Sequence, residues 1–235
     1  MPSPTLSIIV PVYNEARTLA AIIRALHDIF HEDTELIFVN DGSTDDSLAI
    51  LQREARPQDL VLTKENGGKG SAVRMGISRA TAPFTVIQDA DLEYDPKEIS
   101  SLLAEAATHK GSVVFGSRFF HGKTPHIYWR FLMGNKFVTW TLNLLFGSHL
   151  TDSYTCYKLL PTQLFQSLDL HSNGFELEAE IASKCLKRGV KIIEVPIRYH
   201  PRSIEEGKKI RAQDAWKGIL TMIRIRVATD TRAPQ

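Results

Sequence analysis

Several common features are scarce or missing in this chain. Only two of its 235 residues are cysteine. Cys156 and Cys185 stand far apart and suggest no paired framework, so both are expected as reduced thiols of a cytosolic protein. Net charge is nearly absent, with 28 Lys and Arg against 27 Asp and Glu. That balance gives nucleic-acid binding no support. No run reaches the ~18 uninterrupted apolar residues of a membrane-spanning helix. The closest approach, FLMGNKFVTWTLNLLFG at 131–147, is broken by Asn135, Lys136 and Asn143. It reads as a buried or amphipathic helix, or as a helix face that touches lipid at a membrane surface. The N-terminus has no basic stretch, and its apolar run is too short for a signal peptide. There is no internal repeat and no low-complexity segment.

What the chain does have is alternation. LSIIV (6–10), ELIFV (35–39), DLVLT (59–63) and FTVIQ (84–88) read as strands. Between them lie helical patterns. Residues 15–30 carry Leu19, Ile22, Ile23, Leu26 and Phe30 at helical spacing. A helix begins near Asp45, and another covers 69–80. Asp95-Pro96-Lys97-Glu98 combines an N-cap, a proline at the first helical position and a capping-box acid. Strands separated by helices imply an α/β fold: a mostly parallel sheet, helices on both faces, right-handed crossovers. The second half is less regular. It offers a strand at 112–118, a helix at 128–146, the polar and aromatic TDSYTCYKLL (151–160), and a helix at 174–189 closed by Gly189. VKIIEVPIRYHPRS is a strand cut off by Pro196. One domain over 1–210 and a basic amphipathic C-terminal tail over 211–235 are expected. The length suffices for a substantial core.

Ligands of open parallel sheets bind at the carboxyl ends of the strands. Here those ends carry PVYNE (11–15), NDGSTDDS (40–47), KENGGKGSA (64–72) and DADLE (89–93). If residues 88–95 stay extended, Asp89 and Asp91 point to one side and Glu93 can join them. Close carboxylates repel and raise each other's pKa. A hard divalent cation, Mg²⁺ or Mn²⁺, removes that cost and is often held by carboxylates together with substrate phosphates. The alternative is a solvated acidic loop. Asp95 is expected to cap the next helix. Asp41 can accept from a ribose hydroxyl or a base N–H, or close an Asx-turn, with Asp45 or Ser43 capping the helix that follows. Glu15 can bond a ribose or sit in a first helical turn for its dipole. NGGKGSAVRMG lacks G-x-G-x-x-G, because Val73 replaces the last glycine, and it lacks the P-loop glycine. It can still approach a nucleotide closely with Lys69 near the diphosphate, or be a flexible turn with a solvated lysine.

SIIVPVYNE, VNDGSTDDS, NGGKGSAVRMGI and QDADLEYDP together resemble the family 2 inverting glycosyltransferases of GT-A fold. GSR (116–118), TDSYTCYKLL, GFELEAEI and EVPIRYHPRSIEEGKKI continue the resemblance, in the order of the dolichyl-phosphate mannose and glucose synthases. It covers about 5–215. The resemblance implies a Rossmann-like sheet, a UDP-glucose or GDP-mannose donor and a divalent metal, with EGKKI and NGGKG leaning toward UDP-glucose. Pro11, Tyr13, Glu15 and Asp41 would hold the nucleoside, and Lys69, Gln88, Asp89, Ala90 and Asp91 would complete the donor site. Asp89 and Asp91 would be the metal-binding Asp-x-Asp, joined by Glu93 where mannose synthases often carry Gln. The acceptor of this branch is a polyprenyl phosphate. Arg118, Arg130 and Arg202 match basic positions that meet phosphates, and Asp152, Lys208 and Lys209 complete the expected acceptor site. Asp89, Asp91, Arg118 and Arg202 are the expected catalytic set.

Many relatives carry transmembrane helices, and this sequence shows none. The expectation is a cytoplasmic protein, peripheral on the inner face of a membrane through 131–147 and its C-terminal helix, or bound to a membrane partner. A soluble hydroxyl acceptor is the alternative, and it would need a general base, for which Asp152, Glu176 and Glu178 are candidates. Absence of Q-x-x-R-W argues for a single transfer rather than polymerisation. Arg202, Lys208, Lys209 and Arg211 could form a mobile loop over phosphates, with Arg224 and Arg226 near anionic lipid. Two rival classes remain. A sugar nucleotidyltransferase would carry a Gly-rich, Arg-containing loop where this chain has PVYNE. A catalytically silent nucleotide-sugar-binding module is opposed by intact Asp89 and Asp91.

Overall fold

The computed structural model describes residues 4–109, 111–120, 129–202 and 212–228, apart from the side chains of 129–131 and 212. The four expected N-terminal strands form as β1 (Leu6–Val12), β2 (Thr34–Asp41), β3 (Leu60–Lys64) and β4 (Phe84–Ile87). β5 (Val113–Ser117), β6 (Lys158–Pro161) and β7 (Ile192–Pro196) complete one seven-stranded sheet in the order β3-β2-β1-β4-β6-β5-β7. Six strands run one way; β6 is antiparallel to both β4 and β5. Helices α1 (Leu19–Ile29), α2 (Ser47–Glu54), α3 (Lys69–Ile77), α4 (Ile99–Thr108), α5 (Trp129–Phe146), α6 (Thr162–Ser167), α7 (Leu177–Lys187) and α8 (Ala212–Val227) connect and cover it.

Apolar content decides where the sheet sits. Ile8, Ile9, Val10, Phe38, Val39, Val86 and Ile87 are fully buried. Near-continuous apolar runs of this kind suit strands covered on both faces. Ser7 is the polar exception in β1, and its hydroxyl donates to Glu35 Oε2 at 2.6 Å. On α1 the expected face is inside: Leu19, Ile22, Ile23 and Leu26 are all buried. That helix starts four residues later than the periodicity suggests, because the Glu15 carbonyl closes a turn onto Thr18 and Leu19 first.

Other local expectations can be checked atom by atom. Asp95 caps a 3₁₀ turn at Pro96–Glu98, its Oδ1 accepting from the Lys97 N–H at 3.0 Å. Asp45 accepts from the Ser47 N–H at 2.9 Å at the start of α2. Burial opposes its charge, but the bonds from Ser47 and Ala16 outweigh this and hold its carboxyl below the usual range. Gly189 closes α7 at φ 70°, the left-handed position glycine adopts freely. Cys156 and Cys185 are unpaired and buried.

β6 is the element that the sequence pattern hides. Its four residues, Lys-Leu-Leu-Pro, include a fully buried lysine and end in proline. α8 packs on α5 and α7 and buries Ile219 and Met222. Among the described residues, no helix is long and apolar enough to cross a membrane.

Candidate active site

The chain leaves β1 toward β2 and β3 on one side and returns to β4 on the other. The carboxyl ends of β1 and β4 therefore border a crevice, the switch point of a doubly wound sheet. A cavity of about 450 Å³ lies there. Its walls include Pro11, Tyr13 and Glu15 after β1, Asp41 at the end of β2, Lys69 at the start of α3, and Asp89, Ala90, Asp91 and Glu93 after β4. Arg118 after β5, Glu178 on α7 and Arg202 after β7 close the far side. Strand-end convergence thus brings together most of the residues expected from sequence.

The acidic segment does not continue the strand as expected. It turns at Ala90–Asp91, and Leu92 takes a left-handed φ of 62°. Such a φ is unusual for a bulky side chain. Asp91 Oδ1 accepts from the Glu93 N–H at 3.1 Å and fixes the turn. Asp89 and Asp91 both reach the cavity, but through a turn rather than through strand alternation. Glu93 is pulled sideways: its carboxylate accepts from the Tyr199 hydroxyl at 2.5 Å and from the Arg202 N–H at 2.9 Å. With a backbone bridge between Tyr94 and Tyr199, this anchors the segment that carries Arg202.

Two cation–carboxylate groups organise the floor. Arg202 reaches Asp91 Oδ2 at 2.8 Å, Glu15 Oε2 at 3.1 Å and Glu93 Oε1 at 3.6 Å. Burial opposes its charge, but the three carboxylates more than compensate and raise its pKa. Asp91 is driven the other way. Burial, then Asp89 and Glu93, push its carboxyl up to about 7, against the pull of Arg202. Lys69 pairs with Asp89 at 2.7 Å and lies 3.2 Å from Glu178. Burial alone would favour its neutral amine; Asp89 and Glu178 hold it charged. Glu178 in turn accepts from the fully buried Lys158 at 2.6 Å.

Three expected residues are already held by bonds within the protein. Gln88 is fully buried; its amide bonds the Asp89 carbonyl and the Tyr157 hydroxyl, so it braces the strand end rather than facing a donor. Asp152 is fully buried as well. It grips Arg118 through two bonds of 2.7 and 2.9 Å and accepts from Asn135 at 3.2 Å. Despite burial, Arg118 keeps its carboxyl below the usual range. A group so enclosed and so acidic is neither an acceptor contact nor a general base. Asp41 lines the cavity, yet its oxygens accept from Lys64 Nζ at 2.8 Å and from the Gly67 and Gly68 N–H groups at 3.0 and 2.8 Å. Lys208 and Lys209, and the side chain of Arg130, lie outside the described residues.

The glycine loop makes room for the chain itself. A Cβ on Gly68, at φ 91°, would stand 2.5 Å from the Asn173 carbonyl oxygen; one on Gly70 would stand 2.4 Å from that of Ser172. The Asn173 carbonyl accepts the Gly70 N–H at 2.7 Å. Gly68→Ala is therefore expected to destabilise by about 2–3 kcal/mol, combining left-handed strain with overpacking. Gly111→Ala is the comparison, with φ 80° and nothing within 4 Å. It should lose only about 1 kcal/mol. Denaturant midpoints would separate the two, and equal losses would show that the close approach to Asn173 costs nothing.

Sequence reasoning missed Tyr94, Tyr154, Phe175 and Tyr199, which line the cavity, and the face of α8 carrying Gln213, Asp214 and Lys217. Nothing in their local pattern marks them, because distant segments bring them to the site. The residues also suit a divalent cation. Asp89 and Asp91 are neighbouring oxygen donors, Asp89 helps to raise the Asp91 pKa, and their ion-pair partners are Lys69 and Arg202. Among the described residues, no three His, Cys, Asp or Glu side chains form a ready-made cage. Two carboxylates completed by a ligand's phosphates are a common arrangement for Mg²⁺ and Mn²⁺.

This sheet, with an acidic turn at its switch point, has the architecture of the GT-A enzymes. The crystal structure of glucosyl-3-phosphoglycerate synthase from Mycobacterium tuberculosis in complex with Mn²⁺, UDP and phosphoglyceric acid shares it. The TM-score is 0.72 over 97% of this chain and 80% of that one, at 18% identity. Residues 7–168 match the family described as Glycosyl transferase family 2, and the chain belongs to that family. A relative named glycosyltransferase AglJ, from Haloferax volcanii, is 30% identical over 86% of this chain and 65% of its own length. The polyprenol monophosphomannose synthase of Mycolicibacterium smegmatis is 25% identical over 88% and 82%. The dolichyl-phosphate beta-glucosyltransferase of Saccharomyces cerevisiae is 24% identical over 95% and 74%. This chain spans 65% and 54% of the two Haloferax volcanii relatives it matches.

Proposed function

We propose that this protein transfers one hexose, with inversion, from UDP-glucose or GDP-mannose to a polyprenyl phosphate, using Mg²⁺ or Mn²⁺. The setting would be the cytoplasmic face of a membrane, reached peripherally or through a membrane partner. One observation carries the reading: Asp89 and Asp91 share a cavity with Lys69, Arg118 and Arg202. Carboxylates suited to a cation and cations suited to phosphates are needed together when a diphosphate leaves and a phosphate attacks.

The chain's own groups divide this work. Asp91 and Asp89 would hold the cation, which as a Lewis acid would stabilise the leaving diphosphate. Pro11, Tyr13, Glu15 and Asp41 would border the nucleoside. Lys69, kept charged by Asp89 and Glu178, would sit beside the diphosphate. Arg118 is already oriented by Asp152 and stacks over Tyr199 at 5.0 Å. A planar guanidinium fixed in this way suits an incoming phosphate. A phosphate monoester is anionic near neutrality, with a second pKa of ~6, so it needs orientation rather than a base. That matches a site whose best-placed acids are already committed: Asp152 to Arg118, and Glu178 to Lys158.

The test combines thermal denaturation and transfer. UDP, GDP, UDP-glucose and GDP-mannose are each added with and without Mn²⁺. A ligand at a hundred times its Kd stabilises by about 2.7 kcal/mol, so one base should raise the melting temperature in a Mn²⁺-dependent way. The matching sugar should then move to polyprenyl phosphate in detergent micelles. Absence of any shift at millimolar ligand would end the donor reading. A clear shift with transfer only to a soluble hydroxyl would end the lipid reading and keep the family chemistry.

A further inference from the structure

Two neighbouring helices present apolar side chains that, among the described residues, stand exposed. On α5, Met133, Phe137, Trp140 and Leu144 recur at steps of four, three and four and are 55, 51, 58 and 68% exposed. On α8, Trp216, Leu220, Ile223 and Val227 repeat the same steps at 64, 51, 41 and 72%. Such spacing makes one stripe along each helix. The opposite faces are buried, through Val138 and Leu142 on α5 and Ile219 and Met222 on α8. The helices pack on each other, so both stripes look away from the core. Scattered exposed apolar residues need no explanation, but two matched stripes mark an interaction surface.

Charge selects the occupant. α5 contains no acidic residue. The acidic residue of α8, Asp214, lines the cavity. The exposed charges on the described parts of these helices are Lys136, Lys217, Arg224 and Arg226, all cationic. A second copy docked face to face would set cation against cation. An anionic lipid surface complements them. Trp140 and Trp216 supply rings of the kind that settle at headgroup depth. Position agrees. Lys217 lines the cavity while its neighbour Trp216 is exposed, so the α8 stripe begins at the cavity rim.

We propose that the paired stripes of α5 and α8 dock this protein on an anionic membrane surface, with Trp140 and Trp216 in the headgroup layer and the cavity mouth at the bilayer edge. Docking follows from these surfaces alone and does not depend on which sugar or acceptor is used.

The test therefore uses vesicles without polyprenyl phosphate. The full chain should sediment with equal parts phosphatidylglycerol and phosphatidylcholine, and much less with phosphatidylcholine alone. Salt should weaken the binding. The double variant Trp140→Gln/Trp216→Gln should partition at least about tenfold more weakly, given what burying a large apolar side chain contributes. Its melting temperature and nucleotide response should stay unchanged, since both rings lie outside core and cavity. Three results would overturn the proposal: no binding by the parent chain; equal binding by the variant; or a dimer on gel filtration that the variant abolishes, which would make this surface a self-interface.

Discussion

Asp91→Asn is expected to lower kcat/KM by about 10³-fold or more while leaving the fold intact. The fold gains little from this carboxylate. It sits mostly buried beside Asp89 and Glu93, whose charges oppose its own. Removing the charge relieves that repulsion, and Arg202 keeps Glu15 and Glu93. Melting temperature should hold or rise slightly, as happens where a site is strained for function. A 10³-fold loss amounts to about 4 kcal/mol of transition-state stabilisation, a large share to come from one amide-for-acid exchange. Sugar transfer and thermal melts on the same preparation decide the matter. Activity within tenfold of the parent would remove Asp91 from the centre of the site. Loss of activity through unfolding would make it a structural residue.

Asp152→Asn should do the reverse and lower the stability of the fold before it reveals anything about chemistry. The carboxylate is fully buried and gripped by Arg118. Breaking a buried pair by removing one partner leaves an uncompensated charge and costs about 3–5 kcal/mol. For a domain of this size that is roughly 6–20 °C of melting temperature. The double variant Arg118→Met/Asp152→Leu should regain most of the loss, because it removes both charges. The pH dependence has a definite sign. Asp152 is held below the ordinary carboxylate value, so its contribution is complete above the unfolded pKa of ~3.9. It disappears as pH falls through the lower folded value. The gap between parent and variant in a denaturant titration should stay constant from neutrality to about pH 5 and close only in stronger acid. A gap that closes between pH 6 and 8 would mean that another group is responsible.

These two aspartates also show which parts of the molecule could be read in advance. The strands could, because runs such as Ser7-Ile8-Ile9-Val10 need burial on both faces. So could the strand-end site, because open parallel sheets gather ligands there. The stretch 151–160 could not. Its polar residues suggest surface, yet Asp152, Ser153, Thr155 and Lys158 are all buried. Asp152 is satisfied from Arg118 and Asn135, Ser153 from Thr139, and Lys158 from Glu178. A residue's own neighbourhood in sequence does not reveal partners 14 to 34 positions away. Glu93 is a stronger case: its orientation is set by Tyr199 and Arg202, more than a hundred residues on. The glycines of NGGKG were legible as a close approach, but not as an approach by the chain's own residues 172–173.

The antiparallel strand has a consequence for synthesis. Residues 6–87 supply the contiguous block β3-β2-β1-β4 on their own. β5 pairs with β6 and β7 and with no earlier strand, so it cannot join that block when it leaves the ribosome. In the described sheet, residues 158–161 are what covers that side of β4. At ~5–20 residues per second, the nascent chain waits on the order of several seconds with the Phe84-Thr85-Val86-Ile87 edge unpaired. An uncovered apolar edge is a template for association with other chains. During that interval this strand edge stays open to other chains, and β6 is the strip that ends the exposure.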